Sequence, residues 1–412
     1  MSGIRVNEWL HNSGTGGIWQ TSAGNVGIAS SVPTTKLEVT GDAKISGITT
    51  AMQFAPSQGQ LANKNIIVNG DCIVNQRGIS STTSGYHSVD CWKTSFSGQD
   101  EALTQEQNAL TSSDTGPWEE GFRCSLKVTN GNQTSGAGAA DQVVIENRVE
   151  AQNMATSGWK YTDTTSYVTL SFWVKSSVAQ TFYGVLETQD GTGQNYPFST
   201  GALSANTWTK VVKSIPGNSN IQFDKNEANG LQVEFHPFMG TDFTDNSTAL
   251  NTWAAAASGT RHPDMTSTWW TTNDSTFELT GVQLEVGSTN TPFEHLSYGD
   301  SLARCQRYHF SWKSPDGSTG MWRDGYSDGN IYIRSLPVSI PVTMRVDPTV
   351  VFRASMTHSN NESGGDTVSE APYGNKKAGV GAKVRSNSTG RTYSWFATAD
   401  AGGNHFWLNA EL

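Results

Sequence analysis

Three tryptophans, Trp253, Trp269 and Trp270, share one long polar stretch with Arg261, His262 and Asp264, and Tyr196 stands beside Asn195 in another. Flat rings of this kind stack on the C–H faces of a sugar, while amides, carboxylates and guanidinium groups take its hydroxyls. The same rings have a second use: a tryptophan in a polar stretch commonly pins its own loop to the core beneath. The sequence leaves both uses open, and for any single ring the anchor is the commoner outcome.

Catalytic patterns are missing from the sequence. Glycoside cleavage needs two carboxylates that converge to about 5–10 Å, and the 37 acidic residues supply chance pairs without a recognisable frame. No Gly-x-Ser-x-Gly elbow and no phosphate loop occur. The eight histidines show no close metal spacing. Asp242 and Asp245 sit too loosely in the stretch 240–246 to specify a loop metal site. The expectation is a protein that binds without catalysing.

The elements that must position these groups are strands. In Leu279-Thr-Gly-Val-Gln-Leu-Glu-Val-Gly287, Phe277 and Leu279 are apolar at odd positions, and Val282, Leu284 and Val286 at even ones. Side chains alternate faces along a strand, so an unbroken strand cannot bury both sets. One extra residue near Gly281 restores the phase, which predicts a β-bulge there; two short strands with a bend fit equally well. Tyr167–Lys175 places Val168, Leu170, Phe172 and Val174 on one face, and Gly230–His236 is expected to bury Leu231, Val233 and Phe235 and to expose Gln232, Glu234 and His236. Residues 125–129, 142–146, 182–187 and 208–213 read as further strands, with turn-rich gaps such as 189–193 between them. Helical periodicity is absent from this region. Many alternating strands joined by short turns predict a two-sheet sandwich, a jelly roll.

Bulk composition agrees. The chain of 412 residues is long enough for roughly two or three domains. It has 42 glycines, 14 tryptophans and only 16% charged residues, which suits short strands and tight turns. The net charge is −10, and no basic stripe is visible. A nucleic-acid partner and an anionic membrane surface are therefore not expected. No window is apolar enough to span a bilayer, and the start lacks the apolar stretch of a signal peptide. The four cysteines, Cys72, Cys91, Cys124 and Cys305, form no Cys-x-x-Cys pair and are expected as buried free thiols.

The chain divides into residues 1–50, a linker over 51–63, a main β domain over 64–298 and a second β unit over 299–412. In the first part Leu37 and Val39 alternate with polar residues, Thr40–Ala43 supplies a turn, and Lys44-Ile-Ser continues as a second short strand. A hairpin this small is barely stable alone, so Leu37, Val39 and Ile45 need cover from partner chains. The last part opens with the best helix candidate, residues 297–308, with Asp300 or Ser301 as its cap. In Val338–Val346 the apolar residues keep even positions, but Pro337 and Pro341 confine the strand to an edge or a bulged place. Residues 358–376, polar and glycine-rich, read as an exposed loop, and 393–397 and 406–408 as closing strands.

Several of these segments recur together elsewhere. Asn65–Asp71 with Asn75-Gln-Arg-Gly78, Tyr86 with Val89-Asp-Cys-Trp92, Leu170–Lys175, Gly281–Gly287, Thr291-Pro-Phe-Glu294, Cys305-Gln-Arg-Tyr308 and Pro341–Arg345 with Asp347-Pro-Thr-Val350 together resemble jelly-roll fibre proteins of tailed bacteriophages. Those are in turn distantly similar to carbohydrate-binding modules. Gly24–Ile28 and Lys36–Gly41 resemble shaft elements of fibres from phages of marine bacteria. Two positions depart from the pattern: Cys72 where an aromatic is common, and Cys91 where a basic residue is common. The resemblance implies a homotrimer assembled in the host cytoplasm and fixed to a phage tail or capsid protein by its N-terminus. It would then present its β domains to a host-surface glycan or receptor. A purely structural head or collar fibre is the alternative, and a glycan depolymerase a more distant one. The resemblance further suggests a structural Ca2+ shared by the first and last strands through Asn69, Asp71 and Glu285, whose oxygens suit that ion. Turn capping by Asp71 and an exposed Glu285 are the plainer reading.

Overall fold

The computed structural model describes residues 8–10, 17–39, 62–313, 320–327, 332–335, 338–352, 356–359, 370–373, 379–385, 393–398 and 404–412. Contacts divide the chain into two compact units, Met1–Ala55 and Pro56–Leu412.

The N-terminal unit is one sheet of four short strands, β1 (Glu8–Leu10), β2 (Gly17–Gln20), β3 (Val26–Ile28) and β4 (Leu37–Val39), in that order. The β2–β3 turn closes with Gly24 at φ +76°, a conformation glycine adopts without strain. Leu37–Val39 is a strand as expected, but its partner among the described residues is Val26–Ile28, in parallel register Val26 to Leu37 and Ile28 to Val39. Thr40–Ala43, Lys44–Ser46 with Ile45, and most of the linker lie outside the described residues. Ile18, Ile28, Val32 and Leu37 are all exposed, Val32 at 76% and Leu37 at 62%.

The second unit is built on a jelly-roll sandwich of two six-stranded sheets. Its strands are β5 (Ser80–Ser81), β6 (Trp92–Ser97), β7 (Thr104–Ala109), β8 (Cys124–Thr129), β9 (Gln142–Glu150), β10 (Tyr167–Ser176), β11 (Thr181–Thr188), β12 (Gln194–Ala202), β13 (Thr209–Pro216), β14 (Asn229–Met239), β15 (Ala254–Ala255) and β16 (Thr276–Val286). Sheet I runs β13-β10-β16-β8-β7-β5, and sheet II runs β15-β12-β11-β14-β9-β6. The inward rows are those the alternation dictates: Val168, Leu170, Phe172 and Val174 on β10, and Leu231, Val233 and Phe235 on β14, are buried, but Gln232, Glu234 and His236, expected exposed on the other face of β14, are buried too. They meet across the layers, with the Phe172 and Phe235 rings edge to face at 4.8 Å and Phe182 on Phe277 at 5.0 Å.

β16 is one continuous strand with the bulge at the expected place. Ser171 pairs with Gln283 and Trp173 with Thr280, so Gly281 and Val282 together oppose Phe172. Gly281 has φ +61°, and a Cβ there would lie 2.6 Å from Phe122 Cζ. Gly70 serves a different need. Val282 N–H donates to its carbonyl at 2.9 Å, and a Cβ at Gly70 would lie 2.0 Å from the Val282 carbonyl oxygen.

Two short helices, α1 (Ala151–Ala155) and α2 (Thr268–Thr271), interrupt a region read as purely strands. Neither is long enough to show a period. The expected longer helix is α3 (Tyr298–Gln306), but its cap is Ser297, one turn ahead of the Asp300 or Ser301 inferred. Ser297 Oγ accepts from Asp300 N–H at 3.2 Å and donates to Asp300 Oδ2 at 2.6 Å, so Asp300 completes a reciprocal cap.

Beyond α3, β17 (His309–Lys313), β26 (Asn404–Asn409) and β21 (Thr349–Phe352) form a three-stranded sheet. Phe310, Met344 and Leu408 pack together in a small core here. Val338–Ser339 (β20) stops before Pro341, which shortens the strand expected to reach Val346. Within the 358–376 stretch read as a loop, residues 358–359 end strand β22 (Met356–Ser359) and residues 370–373 form β23 (Glu370–Tyr373). They join β18 (Gly320–Ser327), β19 (Tyr332–Ser335), β20, β24 (Gly379–Arg385) and β25 (Tyr393–Thr398) in a seven-stranded sheet. All four cysteines are free, and Cys72, Cys91 and Cys305 are buried. Among the described residues no helix is long and apolar enough to cross a membrane.

Candidate functional site

The four aromatics singled out by their chemistry are core residues. Trp269 and Trp270 form α2 and are fully buried, Tyr196 is 3% and Trp253 9% exposed. Each indole N–H is spent on a backbone carbonyl: Trp253 on Pro216 at 2.7 Å, Trp269 on Thr276 at 3.0 Å, Trp270 on Gly136 at 2.8 Å. The structure brings Tyr196 against Trp253 at 5.2 Å and Trp270 against Phe238 at 5.2 Å, but offers none of these ring faces to solvent. Tyr196 lies in strand β12, not in a loop. The stacking-platform reading is therefore corrected: these rings anchor the 240–275 segment.

Two of the three oxygen donors considered for Ca2+ are already engaged by the protein itself. Asn69 Oδ1 accepts from Val74 N–H at 3.1 Å, while its amide donates to the carbonyls of Val74 and Asp90, both at 2.9 Å. Glu285 is not exposed; it is buried and occupied by Thr291, whose N–H and Oγ1 each donate to it at 2.7 Å, and by Gln283 Nε2 at 3.0 Å. Burial raises the Asp71 carboxyl above its ordinary range. Among the described residues no group of three or more His, Cys, Asp or Glu could hold a metal ion.

Several motifs behind the resemblance prove to be clasps. Gln76 Nε2 and Arg77 Nη1 donate to the buried Asp90 at 2.7 and 3.2 Å, and Arg77 Nη2 reaches Glu411 at 2.6 Å. Gln283 and Glu285 hold the returning segment: Glu294 N–H donates to Gln283 Oε1 at 2.8 Å. That segment covers the middle of sheet I's outer face.

The outer face of sheet II carries a row of charges that neutralise one another. Glu146 pairs with Lys93 at 2.7 Å and Arg148 at 3.0 Å. Arg261 Nη1 reaches both Glu187, at 3.0 Å, and Glu234. Burial raises both carboxyls despite that guanidinium. A shared arginine leaves neither carboxylate as a free base, which argues against glycosidase chemistry at this pair. His236 and His262 are buried beside them, the His262 ring stacked on Tyr183 at 4.8 Å. Burial, the largest cause, lowers His262 to about 3 and His236 well below its ordinary value. The 240–264 segment and Leu412, whose carbonyl accepts from Arg148 Nη1 at 2.6 Å, close over this face.

What stays open is a cleft of about 330 Å3 where the start of the sandwich, the end of α1 and the end of α3 meet. Its lining includes the cations Lys64, Arg304 and Arg307, the polar Asn153, Thr156 and Ser157, and the apolar Ile66, Val68 and Val286. The size lies at the lower end of ligand clefts, roughly 300–1,000 Å3. The Thr156 and Ser157 hydroxyls donate to the carbonyls of Gln152 and Met154 at 2.7 and 2.8 Å, and Ser157 Oγ also accepts from Trp159 N–H at 3.2 Å. Asn153 is exposed and its amide bonds to no described residue. The sequence reading missed these residues. The usable signal was Arg304 and Arg307, three apart on the one well-capped helix and so on one side of it.

Comparison with known proteins found no matching family model and no matching curated protein. Solved structures with local likeness include the enzymatically active domain of bacteriophage CBA120 tailspike protein 4, with 12% identity over 54% of this chain and 21% of that one, TM-score 0.28. The N-terminal cellulose-binding domain of Cellulomonas fimi β-1,4-glucanase C aligns at 13% identity over 52% of this chain and 97% of that one, TM-score 0.25. The tandem CBM22 domains of Paenibacillus barcinonensis Xyn10C align at 9% identity over 82% and 98%, TM-score 0.25. The chain thus spans about a fifth of the tailspike domain's length. Likenesses at these scores carry no argument about function.

Proposed function

We propose that this protein is a non-catalytic, glycan-binding appendage of a phage virion, a homotrimer held to a tail or capsid protein by its N-terminal unit. The observation that carries the binding reading is the cleft beside Lys64 and Asn153. It combines an apolar floor with amides, hydroxyls and cations, the groups that hold a sugar's C–H face and its hydroxyls together. The exposed Ile18, Ile28, Val32 and Leu37 support self-association, because apolar side chains on so small a sheet gain most from burial against sister copies. A ring of copies would multiply weak affinity at each cleft.

The self-neutralised outer face of sheet II favours a second reading, a structural head or collar fibre without host affinity. The two separate in one experiment on the full chain: sedimentation together with binding to host cells and to their extracted polysaccharide. The expected result is a trimer retained by both, with no reducing sugar released and binding abolished by Asn153→Trp, which fills the cleft from an exposed position. A trimer that ignores cells and polysaccharide supports the structural fibre. A monomer overturns the appendage reading, and release of reducing sugar makes it an enzyme.

A further inference from the structure

We infer that the cleft between the start of the sandwich and α3 takes a saccharide residue bearing a carboxylate, a uronate-type acidic sugar. This deepens the glycan-binding reading and rests on it.

The chain carries a net charge of −10, yet three of its cations converge on one small cleft whose lining contains no acidic residue. Two of the three keep their charge free of a carboxylate partner among the described residues. Lys64 Nζ donates to Thr291 Oγ1 and to the Pro292 carbonyl, both neutral acceptors. Arg304 Nη2 donates to the Asn63 side-chain oxygen at 2.8 Å, which leaves the rest of its guanidinium fork for another acceptor. Arg307 differs: Nε and Nη2 grip Glu150 at 2.6 and 2.7 Å, so it is neutralised and fixes the wall. Two further acids, Asp71 and Glu294, line a separate small depression that Arg304 also borders, and Glu294 is held by Asn65 N–H at 2.9 Å.

A neutral sugar would leave those two charges unused, whereas a carboxylate matches the planar fork of Arg304 bidentately and Lys64 as a point charge. The apolar floor then faces the ring, and Asn153 meets its hydroxyls.

The test uses the full chain, an oligogalacturonate and the methyl ester of the same oligomer, which removes the charge and keeps the sugar. Calorimetry is expected to show the acid form binding at least about tenfold more tightly than the ester, since charge-assisted hydrogen bonds are worth about twice neutral ones. Arg304→Gln and Lys64→Gln are each expected to weaken the acid form by about tenfold and the ester much less, so that the preference for acid over ester collapses. Affinity for the acid form is expected to fall with added salt. Equal binding of acid and ester, or binding of neutral glycans alone, overturns the acidic-sugar inference while the glycan reading stands. Failure of every saccharide overturns both. Binding of inorganic phosphate without any sugar also overturns it, since the cleft would then be an anion site only.

Discussion

Arg307 holds Glu150 through both ends of its fork, Nε at 2.6 Å and Nη2 at 2.7 Å, with the Tyr308 hydroxyl donating to the same carboxylate at 2.7 Å. This contact ties the segment after α3 to the end of β9. Burial alone would raise the Glu150 carboxyl, but Arg307 and Tyr308 outweigh it and hold it below its ordinary value. Arg307→Ala leaves a buried carboxylate unpaired, and urea unfolding is expected to show a loss of about 3 kcal/mol. Arg307→Lys is expected to recover only part of it, because an ammonium cannot reproduce the fork.

The bulge at Gly281 gives a backbone test. Gly281→Ala meets both the left-handed φ and Phe122. The expected cost is about 2 kcal/mol by chemical denaturation, and Gly281→Ala combined with Phe122→Leu should recover part of it. Loss of stability no larger than for an exposed loop glycine such as Gly158, also at positive φ, would show that the Phe122 contact is immaterial.

The tryptophans test core against surface. Trp269→Ala removes a fully buried ring and an N–H bond to Thr276 and is expected to destabilise by about 3–5 kcal/mol. Glycan affinity of the fraction that stays folded, followed by titration calorimetry below the melting point, is expected not to change.

The buried imidazoles make a pH test. In the unfolded chain His262 takes its proton near its ordinary 6.5, in the folded chain only near 3. The unfolded state therefore binds more protons in that window, and His262 subtracts stability as pH falls from 6.5 to 3. His236 acts in the same direction. The raised carboxyls of Glu187 and Glu234 work the other way, gaining stability on acidification. The His262→Asn chain should thus lose less stability than the native chain over that range in urea titrations. Proton NMR should show neither ring titrating between about pH 5 and 8. A His262 resonance that shifts near 6.5 would contradict its burial.

Much of the sandwich could be read from residue order because its central strands place apolar side chains at alternate positions, as β10 does with Val168, Leu170, Phe172 and Val174, and because the phase change around Gly281 needs either a bulge or a bend, of which β16 shows the bulge. β6 and β7 escaped notice for the opposite reason. In β7, Gln105 points inward and is fully buried, satisfied by the carbonyls of Thr83 and Gly85 at 2.6 and 3.1 Å and by the Ser88 hydroxyl at 3.0 Å. A polar residue on the buried face breaks the pattern that marks a strand. At the site the difficulty was different. A tryptophan's type says that it wants a large contact, not whether protein or sugar supplies it. The cleft draws on Lys64, Asn153 and Arg304, residues distant in sequence whose meeting depends on the fold.

The clasp of Gln283 and Glu285 on the returning 291–294 segment has a consequence for how a long polymer could be held. That segment lies on Gln283 and Glu285 of β16, and Arg261 and Leu412 reach Glu187 and Arg148 of sheet II, so parts of both outer faces are already engaged by the chain itself. On the proposed reading, a cleft of about 330 Å3 would hold only a few sugar units per copy, so affinity should level off with chain length and firm attachment would come from many copies at once.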